Sequence, residues 1–301
     1  MTANEFLVKL VYDADPTEAI LSYLVEKLSD TVDLAKIGAS YERLEDELSR
    51  FEEWLHEVWG TGFYQSLVGQ PEERALPKAY KMAGEKEANV LVADGLSVRE
   101  LLVLMKALPG RIAYTAGRAA HPTTTAAAAR SFYGTNSLED AFHGSRLIEG
   151  REWSGQVIHD VRSPPKIGGL KHLSLLTYYP DAPLHNAVKY GVAEIQDVSS
   201  VIGDLAHLIS ELAQVSDLVV TGDHGYIFLG KSPNRYLWRW VSRTERHGGS
   251  YGSQGLDAGG EKVAVGRLHA PDVRKSGAFI VHGGVSLTES LVPIITVKGG
   301  S

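Results

Sequence analysis

The sequence predicts an α/β fold: a mostly parallel central sheet with helices on both faces, preceded by an N-terminal helical segment. Three observations carry that expectation. Short continuous apolar runs, Ala88 to Ala93 and Leu218 to Thr221 among them, have the length and composition of strands buried on both faces. Helical periodicity alternates with these runs from residue 88 onward. The runs end in acids, histidines and glycines, and sheets of this kind bind ligands beyond the carboxyl ends of their strands.

In chain order, residues 1–85 read as mainly helical, a docking or cap segment with no catalytic signature. Phe6 to Tyr12 is expected as a short strand. Asp13, Asp15 and Pro16 suit a helix start, and Thr17 to Leu28 follows as a helix. Tyr41 to Trp59 is a stronger helix, with Leu44, Leu48, Phe51, Leu55 and Val58 at spacings of four and three. From Ala88 the pattern changes. Strands are expected at Ala88–Ala93, Arg111–Thr115, Lys171–Tyr178, Leu218–Thr221, Ala278–Val281 and Leu291–Val297. Helices are expected at Val98–Leu108, Ala126–Tyr133 and Asp197–Val215. Residues 86–301 then form one domain, with a cap or insert at about 226–277 and a flexible loop at Gly248–Gly260. No internal repeat is present.

Composition narrows the function classes. The chain has 301 residues, 44% hydrophobic and 22% charged, room for one large or two modest domains around a substantial core. A formal net charge of −7 argues against a general nucleic-acid coat but leaves a local basic patch open. With no cysteine there is no disulfide, and a zinc site must draw on His, Asp or Glu. The N-terminus lacks a basic region followed by an apolar stretch, and no run of about 18 apolar residues occurs. The expectation is a cytoplasmic protein with no membrane partner.

The candidate site is what sits at the strand ends. Asp94 follows the first strand, and Thr123, Thr124 and Thr125 follow the second. Asp181 and His185 follow the third, Asp223 and His224 the fourth, and His282 the fifth. Each has an ordinary structural reading alone; together at one sheet edge they point to a metal site. Adjacent Asp223 and His224 can serve one cation only if the chain turns sharply after them, and Gly225 permits that turn. Carboxylate oxygens with neutral imidazoles suit Zn²⁺, and carboxylate-rich sets suit Mn²⁺. Two such ions about 4 Å apart clamp a phosphoryl group between entering and leaving oxygens. A threonine hydroxyl is a poor nucleophile until a cation lowers its pKa, which Pro122-Thr123-Thr124-Thr125-Ala126 would satisfy if Thr125 faces the metals.

The motif order is specific. Asp94-Gly95, then Pro-Thr-x-Thr, then Asp181-x3-His185, then Asp223-His224-Gly225, then the segment from His282-Gly283-Gly284 to Pro293 resembles the alkaline phosphatase superfamily, and within it the PglZ domain. That domain has a similar His-Gly-Gly-x-Ser-x-x-Glu-x-x-x-Pro segment and a similar Asp-Gly-x-x-x-Arg segment, here Asp94 to Arg99. The resemblance covers about residues 88–297. It implies an alkaline phosphatase-like fold and two divalent metal ions, zinc first and manganese second. One metal would take Asp94, Asp223, His224 and the nucleophile; the other would take Asp181, His185 and His282. The second threonine of the motif gives Thr125 as nucleophile, with Thr123 and Thr124 as rivals. Ser286 and Glu289 would hold the His282 loop.

The activity implied is metal-dependent hydrolysis of phosphate esters, preferably by a phosphodiesterase acting on a nucleotide or nucleic-acid substrate. The family is associated with phage defence of the BREX type and with some response-regulator proteins, so defence-complex partners would bind through the N-terminal helices. The rival readings are a non-catalytic scaffold of such a complex and a phosphotransferase or mutase. A sulfatase is disfavoured. Residues 226–277 carry basic residues interleaved with aromatics, from Lys231 through Trp238 and Arg239 to Arg246 and His247. These either select substrate by holding phosphate and stacking bases, or form a surface cap with solvated arginines. His121, Arg130, His143 and Lys166 are further candidates for the pocket lining.

Overall fold

The computed structural model describes residues 3–12, 16–69, 73–167, 170–185, 197–230, 236–239, 246–248, 255–269 and 279–300. Five helices come first: α1 (Ala3–Tyr12), α2 (Pro16–Leu28), α3 (Ile37–Trp59), α4 (Thr61–Val68) and α5 (Ala75–Lys86). Phe6–Tyr12 is thus helix rather than the expected strand. Phe6 and Leu10, four apart, put one helical face into the core with Tyr23 and Phe51.

The central sheet uses β1 (Asn89–Ala93), β2 (Ile112–Arg118), β3 (Gly144–Ile148), β4 (Arg151–Ile158), β5 (Leu173–Thr177), β6 (Leu218–Thr221) and β13 (Leu291–Val297). Their order is β2-β13-β6-β1-β5-β4-β3. The middle is parallel, β6, β1, β5 and β4 running together. Between β1 and β2 lies α6 (Val98–Ala107), and α10 (Val198–Val215) precedes β6. Alternate strand residues feed two cores: Leu91, Ala93, Leu175 and Val220 face α2, α3, α6 and α10, while Val90, Val92, Leu176 and Val219 face α5. Helices therefore cover both faces, as expected. Among the described residues no helix is long and apolar enough to cross a membrane.

Two departures matter. The β3–β4 hairpin was not expected. Its two-residue turn, Glu149-Gly150, takes φ of 51° and 72°, the primed turn that matches strand twist. The second departure is β13, which is antiparallel and inserted between β2 and β6. Its reversed direction brings its N-terminal end, and the short helix α11 (Leu287–Ser290) before it, to the edge where β1, β5 and β6 finish.

Of the expected fifth strand, Ala278 lies outside the described residues, and Ile280–Val281 form β12, which pairs with β7 (Ile227–Phe228) in a separate two-stranded sheet. His282 therefore reaches the edge from a side ribbon rather than from the central sheet. The expected helix Ala126–Tyr133 is α7 (Thr125–Ala128) running into a wider π turn at Ala129–Tyr133. The short helices α8 (Leu138–Ala141) and α9 (Asp181–His185) lie between these elements. The region after β7 adds β8 (Trp238–Arg239), β9 (Gly255–Ala258), β10 (Glu261–Ala264) and β11 (Leu268–His269). Part of the expected loop at 248–260 is thus strand β9, turning at Gly259-Gly260 into β10; residues 249–254 lie outside the described ones.

A buried ionic network ties α3 to the rest. Glu45 pairs with both Arg99 and Arg267, and Glu52 with Arg267, all four side chains being fully buried. Arg99 Nη1 and Nη2 also donate to the Tyr226 carbonyl. Glu100 accepts from the hydroxyls of Tyr41 and Tyr226, and caps α6 reciprocally with Ser97. Burial disfavours charge on Glu289, but its pairing with Arg246 outweighs that and lowers its pKa. The desolvation of these ions is offset because almost every polar atom finds a partner.

Candidate metal centre

Strand register explains why the acids meet. Ala93 pairs with Thr177, and Val92 with Thr221, so β1, β5 and β6 end together. Asp94 is one residue beyond β1, and Asp223 two beyond β6. The Asp181 N–H donates to the Asp94 carbonyl at 3.1 Å, which locks the third acid beside the first. Gly225 is needed for a different reason from the one its sequence position implies. It does not take a left-handed conformation; a Cβ there would lie 2.2 Å from the Thr288 carbonyl oxygen of the α11 segment packed against it.

Among the described residues, two groups of side chains have ligand atoms within 4.8 Å of one another: Asp94, Asp223 and His224, and Asp181, His224 and His282. His224 Nε2 is 3.5 Å from Asp94 Oδ1 and 3.6 Å from Asp223 Oδ2. Thr125 Oγ1 stands 3.3 Å from both Asp94 Oδ1 and His224 Nε2. On the other side, His282 Nε2 is 3.5 Å from Asp181 Oδ1. The rings of His224 and His282 stack at 4.3 Å, and the His185 ring lies 5.0 Å from that of His282. All seven predicted side chains therefore gather at one edge. His185 does so beside His282, while His224 stands in both groups.

The three threonines separate by geometry. Thr123 Oγ1 donates to the Gly284 carbonyl and accepts from the Gly283 N–H, both at 2.9 Å. Thr124 caps α7 by accepting from the Ala127 N–H at 3.2 Å. The hydroxyl of Thr125 is the one turned toward the acids.

Several features fit this set to a cation. Asp181 Oδ1, Asp223 Oδ2, His185 Nδ1 and His282 Nε2 are buried polar atoms with no hydrogen-bond partner. Four donors about 2.1 Å from one centre in a tetrahedron stand about 3.4 Å apart, and the spacings around His224 Nε2 are 3.3–3.6 Å. His224 Nδ1 faces the Gly225 carbonyl at 3.0 Å, and His282 Nδ1 the Thr123 carbonyl at 2.9 Å. An N–H donated there leaves each Nε2 as a lone pair aimed inward, the usual support for a ligating imidazole. Burial, then the neighbouring His224, lowers His282 to about 4, so its ring is neutral near pH 7. Burial, then Asp223 and Asp181, pushes Asp94 well above the usual carboxylate range. Among the described residues no lysine or arginine pairs with these three acids.

The surroundings hold this edge in place. Ser286 and Glu289 form a capping box on α11, and Glu289 Oε1 accepts from the Gly284 N–H at 3.0 Å. Arg246 is buried against Glu289 and the carbonyls of Gly266 and Leu268. It is neither a solvated surface charge nor free for phosphate. Trp238 packs against the core, and Arg99 is committed to Glu45. Residues 231–235 and 240–245 of the basic-aromatic stretch lie outside the described ones. His121 is buried and bonded to Ser290 Oγ at 3.0 Å, while Arg130, His143 and Lys166 are exposed.

No protein-family model matches the chain, and no curated protein matches it. Among solved structures it is similar to murine ectonucleotide pyrophosphatase/phosphodiesterase 5, at 14% identity and a TM-score of 0.39, covering 70% of this chain and 88% of that one. An inactive variant of the same mouse protein, in complex with AMP, aligns at 13% identity and a TM-score of 0.39, over 71% of this chain and 88% of that one.

Proposed function

We propose that this protein is a metal-dependent phosphoric ester hydrolase, a phosphodiesterase on nucleotide or nucleic-acid substrates by preference, with Thr125 as its nucleophile. One observation carries the reading: the Thr125 hydroxyl stands 3.3 Å from Asp94 Oδ1 and His224 Nε2, among buried acids and imidazoles with unpartnered atoms. Asp94, Asp223, His224 and Thr125 would hold one divalent ion, and Asp181, His185 and His282 a second, zinc first and manganese second. His224 offers one inward lone pair, since Nδ1 faces a carbonyl, and so serves one ion only. Bound cations would supply positive charge to the phosphoryl oxygens and favour the ionised Thr125 hydroxyl.

The chain's own residues supply positioning. Asp94 and His224 hold Thr125 Oγ1 at 3.3 Å from their own polar atoms, and the Thr123 bonds to Gly283 and Gly284 fix the neighbouring His282 segment. The Thr125 oxygen bonds phosphorus as the first ester oxygen leaves, and water then releases the phosphoryl group from Thr125. A place in phage defence, with partners docking on the N-terminal helices, is the family reading that accompanies the His282 to Pro293 segment.

The test is turnover of bis-p-nitrophenyl phosphate and p-nitrophenyl phosphate by zinc- or manganese-loaded protein, beside Thr125→Ala. Faster turnover of the diester, lost in the variant, is expected. A metal-loaded wild type inert on both esters would falsify the catalytic reading and leave a scaffold role.

A further inference from the structure

Beside the metal centre lies a second ionisable pair that the mechanism above does not use. His247 Nδ1 faces Glu261 Oε2 at 3.4 Å. Neither side chain is buried: they are 38% and 41% exposed. What places the pair is its packing. The His247 ring lies against Gly283, where an added Cβ would come within 2.6 Å of Cδ2 and 3.5 Å of Nε2. Gly283 has a φ of 112°, open to glycine, and is the residue after His282. The β9–β10 turn that precedes Glu261 rests on the segment leading to the threonines: a Cβ at Gly259 would fall 1.9 Å from the His121 carbonyl oxygen. The His247 backbone is bridged to Val263 of β10. The hairpin thus spans the two segments that carry Thr125 and His282, and it holds a half-exposed imidazole at their rim with a carboxylate behind it.

Resting on the hydrolase reading, we propose that His247, oriented by Glu261, is the general acid for the leaving group. With Nδ1–H donated to Glu261, the Nε2–H of the protonated ring is a donor with no hydrogen-bond partner among the described residues. Thr125 Oγ1 forms the new bond to phosphorus, and its proton passes to solvent. The bond from phosphorus to the leaving oxygen breaks with its electron pair on that oxygen, which takes the proton from His247 Nε2. The neutral ring regains a proton from solvent. Such assistance matters for alkoxide leaving groups, which depart poorly as anions, and little for p-nitrophenolate. The site is thereby matched to alkyl diesters, nucleoside-linked phosphates among them.

The experiment compares metal-loaded wild type, H247Q and E261Q on bis-p-nitrophenyl phosphate and on a thymidine dinucleotide whose leaving group is a nucleoside hydroxyl. H247Q is expected to lose on the order of 10²-fold in kcat on the dinucleotide and less than about 3-fold on the p-nitrophenyl diester. E261Q is expected to show the same split at roughly a tenth of the size. Thermal midpoints and metal content, measured alongside, are expected to match wild type. Equal losses on both substrates, or none on either, with an active wild type, overturn the role of His247 alone. A wild type inert on both removes the hydrolase reading and this proposal together.

Discussion

The protein buries charge in two places, and the two are built on opposite terms. Beneath α3, Glu45, Glu52, Arg99 and Arg267 are paired carboxylate to guanidinium, with Glu100 and Glu289 satisfied by tyrosine hydroxyls, backbone N–H groups and Arg246. At the sheet edge, Asp94, Asp181 and Asp223 face imidazoles, the Thr125 hydroxyl and the Gly95 N–H but, among the described residues, no lysine or arginine, and two of their oxygens, Asp181 Oδ1 and Asp223 Oδ2, have no partner. Burial costs both clusters dearly. In the first, the protein supplies the counter-charge itself. In the second no described residue supplies it, which is what a site for an external cation requires. Burial alone therefore does not separate structural from functional acids; the source of the compensating charge does.

The contrast can be broken by experiment. The largest expected effect is on chemistry: Thr125→Ala should lower diesterase kcat by at least about 10⁴-fold, about 5 kcal/mol in the barrier, with its unfolding midpoint unchanged. Next comes Glu45→Ala, which leaves Arg99 and Arg267 buried with one carboxylate partner fewer. A loss of about 3–5 kcal/mol in denaturant unfolding is expected; a loss below 1 kcal/mol would remove the distinction.

His121 supplies a third case, a buried histidine that is satisfied rather than ligating. Burial lowers it to about 4 from an ordinary value of 6.5. As pH falls, the unfolded chain takes up this proton first, so the stability is full above about 6.5 and is lost as pH drops toward 4. The loss is on the order of 3 kcal/mol. Urea unfolding of the metal-free protein at pH 7.5 and 4.5 should show a smaller drop in His121→Gln than in wild type. Zinc at 100 times its dissociation constant should stabilise wild type by about 2.7 kcal/mol, with no such gain in Asp223→Ala. The smallest effect is the most diagnostic. Asp94→Asn should stabilise the metal-free protein by about 1 kcal/mol, because it removes one of three crowded like charges. A destabilisation would mean the edge is already compensated.

Part of this was legible in the residues. Asp94, Asp223 and His224 stand out because each follows a short apolar run that could only be a buried strand. The face of α3 was not: Glu45 and Glu52 fall between the apolar positions that define the helix, although their spacing of seven puts them beside Leu48 and Leu55. Their arginine partners are Arg99 and the distant Arg267, and no local pattern announces such pairs. The β3–β4 hairpin hid behind Arg146, Arg151 and Glu152, which blur the alternation. The direction of β13 was equally hidden. Val292 to Val297 is a buried strand in either orientation, and only its partners decide which way it runs.

That direction has a consequence for how the molecule is assembled. β13 fills the slot between β2 and β6, so until residues 291–297 have been made and threaded into place, both neighbours present unpaired edges. The Thr123–Gly283 and Thr123–Gly284 bonds depend on the same late segment. A nascent chain thus carries its first four ligand-bearing loops in a sheet that is still split. Docking of the last strand, a contact of long sequence separation, closes the sheet and completes the ligand set in one event.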